Sequence, residues 1–218
     1  MLDGLPADTA AVLALGLPDG WAEQVLTQVS EVSGLSTEEL AAEATDELGI
    51  GVPEDLETLL GDGAALAVSP DVDVEGLADG STPPEEALVG ARIRTDDPEA
   101  SAAVLDELRG RLPDPDLLAT DAEGDLLAVG PDEGYRADLL ADGGLLDAEA
   151  FTDVVPEADR SSAVLYLDLD VVEDYADLLD DLTGDPRVAD NLAPLSALGV
   201  SAWTEDDVPH GLLRIGTD

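Results

Sequence analysis

Asp71-Val72-Asp73-Val74-Glu75-Gly76 carries the most chemical spacing in the chain. Alternating carboxylates at Asp71, Asp73 and Glu75 can converge on a hard cation, and the glycine permits the sharp turn of a calcium loop. The last ligand position of such a loop falls on Thr82 rather than a glutamate, and a predicted strand precedes it where a helix is expected. In so acidic a chain a chance D-x-D is expected, so the competing reading is a solvated loop. Calcium at Asp71, Asp73 and Glu75 is the one cofactor expectation. A second acidic cluster is Asp168, Asp170, Glu173 and Asp174. The dipole of a following helix accounts for Glu173 and Asp174. Asp168 and Asp170 share one strand face, where capping and solvation compete with cation binding.

Arg92, Arg94, Arg109 and Arg111 are half of the basic residues and fall in one strand–helix unit. They are expected to satisfy partly buried carboxylates, with an anionic-ligand pocket as the sharper reading. His210, the only histidine, lies between Pro209 and Gly211 and reads as a turn residue. The chain has no G-x-S-x-G elbow, no Walker-type loop and no G-x-G-x-x-G after a strand. It has no cysteine, which excludes disulfides, thiolate chemistry and Cys-based zinc sites. Paired acids for glycoside chemistry remain open, but Trp21 and Trp203 are the only tryptophans for a sugar platform. No catalytic residue is assigned.

The formal charge is −44, from 52 acidic residues and 8 arginines with no lysine. Such a surface repels phosphate backbones and anionic membranes, so no nucleic-acid partner is expected. High-salt screening or a GC-biased genome is the expected cause of the acidity, with a functional cause, such as cation storage or a basic partner, ranked last. No apolar run is long enough to span a membrane, so no direct insertion is expected. The start lacks the basic and apolar regions of a signal peptide, and the chain is expected to be a piece of a longer protein, with Met1 an added start.

The elements that would position these residues follow from periodicity. Ser161–Asp170, SSAVLYLDLD, alternates as a half-buried strand, with Leu165, Leu167 and Leu169 expected to face the core and Tyr166, Asp168 and Asp170 a wetter side. Its AVLYLDL matches AVLALGL at 11–17, which suggests an internal duplication with pseudo-repeats at about 5–70 and 155–218. Asp19 is expected to cap a helix through Val32, with Trp21, Val25, Val29 and Val32 as its apolar stripe. Ser36 and Glu39 form a capping box for a helix over 37–48, and Pro53 opens a third over 54–60. A strand over 64–69 precedes a polar loop, 70–86, the fallback boundary should the chain form two lobes. Strands follow at 88–94, 117–120 and 126–129, and helices at 97–111, 132–141 and 148–155. The last part predicts helices over 170–182 and 186–198 and a hairpin of 199–204 with 211–215. The sum is one α+β domain over 1–218, with a mainly antiparallel sheet and helices packed on one face.

Four stretches, LPADTAAVLALGLPDGW (5–21), PEDLETLLGDGAALAVSP (53–70), AVLYLDLDVVEDYADLL (163–179) and LSALGVSAWTEDDVPHGLLRIGTD (195–218), together resemble an uncharacterised bacterial family of membrane-anchored envelope proteins. The resemblance implies one transmembrane helix, a low-complexity linker and an extracytoplasmic region built on the Leu-Pro-Ala-Asp-Thr theme, of which this chain is the later part. It brings no catalytic residues. The expected function is a non-enzymatic extracytoplasmic binding or scaffolding domain, partnered by an envelope component. The alternatives are a carrier or sensor of a small apolar or lipid-like ligand, a calcium-dependent module and, last, a hydrolase.

Overall fold

The two similar segments lie side by side at the centre of one sheet. The computed structural model describes residues 1–172, 194–206 and 208–217. Its strands are β1 (Ala11–Gly16), β2 (Gly63–Val68), β3 (Val89–Arg94), β4 (Thr120–Glu123), β5 (Leu126–Val129), β6 (Ala163–Asp168), β7 (Leu195–Glu205) and β8 (Val208–Thr217). They pair in the order β4-β5-β3-β2-β1-β6-β7-β8, and every pair is antiparallel. This is the α+β architecture with a mainly antiparallel sheet that the short connections and hairpins predict. Leu13 faces Leu165, its own counterpart in the two matching segments, with Val12 opposite Tyr166 and Ala14 opposite Val164. A local two-fold therefore passes through the Leu13–Leu165 pair.

One face of the sheet presents Val12, Ala14, Ala65, Ala67, Val164, Tyr166 and Ala197, all buried. Above them pack α6 (Glu133–Leu140), α7 (Glu149–Val154) and the N-terminal Leu2 and Leu5. Phe151 meets Tyr166 edge-on, with ring centroids 5.2 Å apart, a favourable aromatic geometry. Gly199 lets α7 approach β7, because a Cβ there would run into the Val154 backbone. The orientation expected is thus reversed within β6, where Tyr166 is buried and Leu165 and Leu167 lie on the opposite, half-buried side, while just past the strand Leu169 is buried and Asp170 exposed as expected. Alternation fixes which residues share a face but not which face is covered, and here the larger ring takes the helix-covered side.

The helical layer extends beyond the one-face packing expected. On the other face, Ile93, Leu127 and Val129 are covered by Ile50, by Leu59 of α3 (Glu54–Leu60) and by Val104 and Leu105 of α5 (Pro98–Arg109). Past that cover, Leu66, Leu13, Leu165, Val200 and Leu213 follow one another across five strands. Leu13, Leu66 and Leu213 are 45%, 51% and 60% exposed.

Helix α1 (Trp21–Ser33) departs from expectation at its cap and on its face. Gly20 in the left-handed region, not the Asp19 side chain, precedes it, and it buries Ala22 while Val25, Val29 and Val32 stay exposed. It packs on α2 (Thr37–Leu48), where the Ser36–Glu39 capping box forms as expected. The expected loop 70–86 contains α4 (Val74–Asp79) and a 3-10 turn at Pro84–Glu86, and it joins hydrogen-bonded neighbours β2 and β3. Residues 115–118 form a 3-10 turn, so β4 starts at Thr120 rather than Leu117. The terminal hairpin is longer than expected and includes 195–198, which were expected to be helical. The helix expected to begin at 170 starts as α8 (Leu169–Val172); its remainder, the helix from 186, and Glu173 and Asp174 lie outside the described residues.

Candidate functional site

The Leu-Pro-Ala-Asp-Thr stretch turns into β1 and forms one wall of a small acidic pocket. Leu5 is fully buried, and its carbonyl accepts from the backbone N–H groups of Gly144 and Leu145. The Thr9 N–H and Oγ1 both donate to the Pro6 carbonyl, at 3.2 and 2.8 Å, and Ala10 then joins the ladder through the Val68 carbonyl. This holds Asp8 at the sheet end where β2 runs out into Ser69 and Asp71. The opposite wall is the first turns of α6, where Asp132 caps the helix by accepting from the Tyr135 N–H at 2.7 Å. Asp8, Asp71, Asp132, Asp138 and Tyr135 line the resulting cavity of about 240 Å³, with Pro6, Thr9, Ser69, Leu88 and Gly134.

Tyr135 is the unusual group in it. The residue is 6% exposed, and its hydroxyl has no hydrogen-bond partner. Burial pushes its pKa well above the ordinary 10, and the charges of Asp8 and Asp138 push it further. Tyr135 belongs to the hydrophobic core beneath the cavity, and its hydroxyl is closed off from solvent. No arginine lines the cavity, and no ion pair among the described residues includes Asp8, Asp71 or Asp138. Carboxylates without an ion pair suit a ligand that carries positive charge and N–H donors.

The three residues of the expected calcium loop do not converge. Asp73 caps α4, with Oδ1 accepting from the Gly76 N–H at 2.9 Å and Oδ2 from the Thr82 hydroxyl. The Thr82 bond and then the Gly76 bond hold its carboxyl below the ordinary range. Glu75 sits in the first turn of α4, and Asp71 faces the acidic pocket instead. Among the described residues, no three His, Asp or Glu side chains stand close enough to hold a metal ion. In the second cluster, Asp168 accepts from the Asp170 N–H at 3.1 Å, at the start of α8.

The four arginines of the strand–helix unit do not form one pocket. Arg92 is buried and answers backbone carbonyls, not the carboxylates expected: its guanidinium donates to Gly4 at 3.0 Å, to Ala141 at 3.2 Å and to Leu139. It thereby ties the N-terminus and the end of α6 to the middle of β3. Arg94 stands 3.8 Å from Asp3 and 3.9 Å from Asp125. Arg109 pairs with Asp106 at 3.0 Å, and Arg111 lies against Gly49. Two arginines not singled out in the sequence do more. Arg136 pairs with Asp121 at 2.7 Å and donates to the carbonyls of Gly130 and Pro131. Arg160 pairs with Glu157 at 2.7 Å and covers the Trp203 ring at 4.1 Å. His210 is a strand residue of β8, stacked on Trp203 across the hairpin.

A second cavity, about 260 Å³, lies between Leu2, Leu15, Leu146 and Val164, with Asp3 and Asp159 also lining it. The layer between the sheet and helices α6 and α7 is filled by Tyr166, Phe151, Leu5, Leu139 and Leu145. Tyr135 was missed in the sequence, although an aromatic in the first turn of an Asp-capped helix is a visible signal. No protein-family model, curated protein or solved structure matches this chain.

Proposed function

We propose that this chain is a non-enzymatic extracytoplasmic binding or scaffolding domain of a membrane-anchored envelope protein, and that it binds a small ligand at the Asp8–Tyr135–Asp138 pocket. The observation that carries the binding site is a cavity lined by Asp8, Asp71, Asp132 and Asp138, of which Asp8, Asp71 and Asp138 form no ion pair among the described residues. The compartment and the anchoring rest on the resemblance of the LPADT and AVLYLDL stretches. In this reading the anchor belongs to a segment outside this chain; among the described residues no helix is long and apolar enough to cross a membrane. The Leu13–Leu165 pairing supports the reading of 5–70 and 155–218 as copies of one unit. The test is a thermal-shift panel of cations, anions and neutral solutes, in which a native-state ligand raises the melting temperature. A shift that Asp138→Asn removes is the expected result. Turnover of a hydrolase substrate, abolished by one carboxylate substitution, would overturn the non-enzymatic reading.

The exposed leucine rows favour a second reading, a carrier of an apolar ligand. Lipid detected by mass spectrometry in the purified protein, and lost in Leu13→Ser, would move this reading to first place.

A further inference from the structure

We infer that the outer edge of β8 pairs with β8 of a second copy of this chain, through an antiparallel two-fold that joins the two sheets into one. The two edge strands of the sheet are built differently. Strand β4 is four residues long, carries Asp121 and Glu123, and is held by Arg136 through Asp121. Short, charged edges are how sheets avoid pairing with other chains. Strand β8 is ten residues long and exposed at all but Leu212 and Gly216. Among the described residues its backbone pairs with β7 alone, and Val208, Leu213 and Ile215 stand exposed on it. Its outward N–H and C=O groups are an open template for a further strand.

The devices that blunt an edge are confined to the ends of β8. The register shift in β7 falls between Leu195 and Ala197, opposite the last residues of β8. Pro209 lies near its start, so backbone donors run uninterrupted from His210 to Thr217. Arg214 is the one residue of β8 with a fixed charge, and its guanidinium donates to the Asp153 carbonyl at 3.3 Å, on the helix-covered side of the sheet.

Charge selects the occupant. The chain carries 52 acidic residues, yet none falls in 195–204 or 208–217, the bodies of β7 and β8. A basic segment drawn by the overall charge finds no carboxylate on this edge. Two copies, which repel over the rest of their surface, can meet here without opposing like carboxylates. With Leu213 on the two-fold, Leu213 faces its own counterpart, Arg214 of one copy faces Leu212 of the other, and Ile215 faces Gly211. With Leu212 on the axis, Arg214 would face His210, which sets two basic side chains opposite each other. The first register also carries the row Leu66, Leu13, Leu165, Val200 and Leu213 unbroken into the second copy. The Glu205–Asp206 turns then lie at opposite ends of the contact, farther apart than the Debye length of about 8 Å. Ten residues extend about 34 Å, at the small end of specific interfaces, so the association is reversible with a dissociation constant of about 1–100 µM.

The experiment is sedimentation velocity of the full chain from about 1 to 300 µM, in about 0.15 and 1 M sodium chloride. The expected result is a reversible monomer–dimer equilibrium that tightens with salt. Leu213→Lys sets two ammonium groups opposite each other and should weaken the dimer about tenfold or more. Leu66→Lys, on the same open face but four strands away, should leave it unchanged. Both positions are exposed, and circular dichroism checks that both variants fold. The chain has no cysteine, so Leu213→Cys gives a second readout. Directly opposed Cα atoms about 5 Å apart admit a disulfide, and mild oxidation should yield a covalent dimer, whereas Thr217→Cys, far from its own counterpart, should not. A monomer at every concentration would overturn the inference, as would a dimer that Leu213→Lys leaves intact. Equal loss in Leu66→Lys would overturn it by moving the contact to the leucine face. A dimer that gives no disulfide in Leu213→Cys would overturn the two-fold at that residue.

Discussion

Tyr135 and Arg92 are both buried polar residues, yet their substitutions should act in opposite directions. The Tyr135 hydroxyl has no partner, so Tyr135→Phe removes a desolvated group and should raise stability by about 1 kcal/mol in urea unfolding. The pKa of Tyr135, and likewise that of Tyr166, is raised above 10 by burial first and by nearby aspartates second. The unfolded chain therefore releases these protons before the folded one, and stability should fall as pH rises past about 10. Tyr135→Phe should reduce that alkaline loss in melts between pH 9 and pH 11. Arg92 answers three carbonyls in the core. Arg92→Leu leaves them unpaired and should cost about 3 kcal/mol, whereas Arg92→Lys, which keeps a donor, should cost less.

Among the elements, β6 gives the sharpest test of which face is covered. Tyr166→Ala should cost about 3–5 kcal/mol because it empties a filled core position against Phe151, and Leu165→Ala should cost clearly less. The reverse order would restore the leucine-inward orientation that alternation suggests. The α1–α2 pair should be the first region to open. Helix α2 buries no residue and α1 only Ala22, so little apolar contact opposes local unfolding. Hydrogen exchange should be faster there than in β1, β2 and β6. Helix α4 depends on Asp73, whose carboxyl is held below its ordinary value by Thr82 and Gly76. Its stabilisation is present above that ordinary value and is lost as pH falls through the lowered one. Asp73→Ala should therefore lower the melting temperature at pH 7, and the difference from the parent should shrink as the pH is lowered.

At the scale of the whole molecule, the charge of −44 sets the dominant long-range force. The described ion pairs involve few of the carboxylates, and most of these pairs are half exposed, where such pairs contribute little. Screening should therefore stabilise the fold. Raising sodium chloride from about 0.1 to 1 M shortens the Debye length from about 10 to 3 Å, and the melting temperature should climb across that range. Potassium chloride should act alike, since screening depends on ionic strength and not on the ion; an ion-specific difference would count against it.

Local chemistry was legible along the chain wherever neighbours in sequence decide the outcome. The Ser36–Glu39 capping box, the helix spans at 37–48 and 54–60, and the antiparallel sheet all follow from short-range signals. The matching AVL segments could be read as copies, but their pairing at Leu13 and Leu165 could not, because register forms between residues 152 positions apart. Only the tertiary structure decided which side of β6 is covered. Two strands whose faces are both apolar satisfy the same alternation either way up, and the helices that break the tie come from elsewhere in the chain. The acidic pocket belongs to the same class. Asp8, Asp71 and Asp138 are ordinary surface acids in a list of 52, and they become a site only where the turn before β1, the end of β2 and the start of α6 meet around Tyr135.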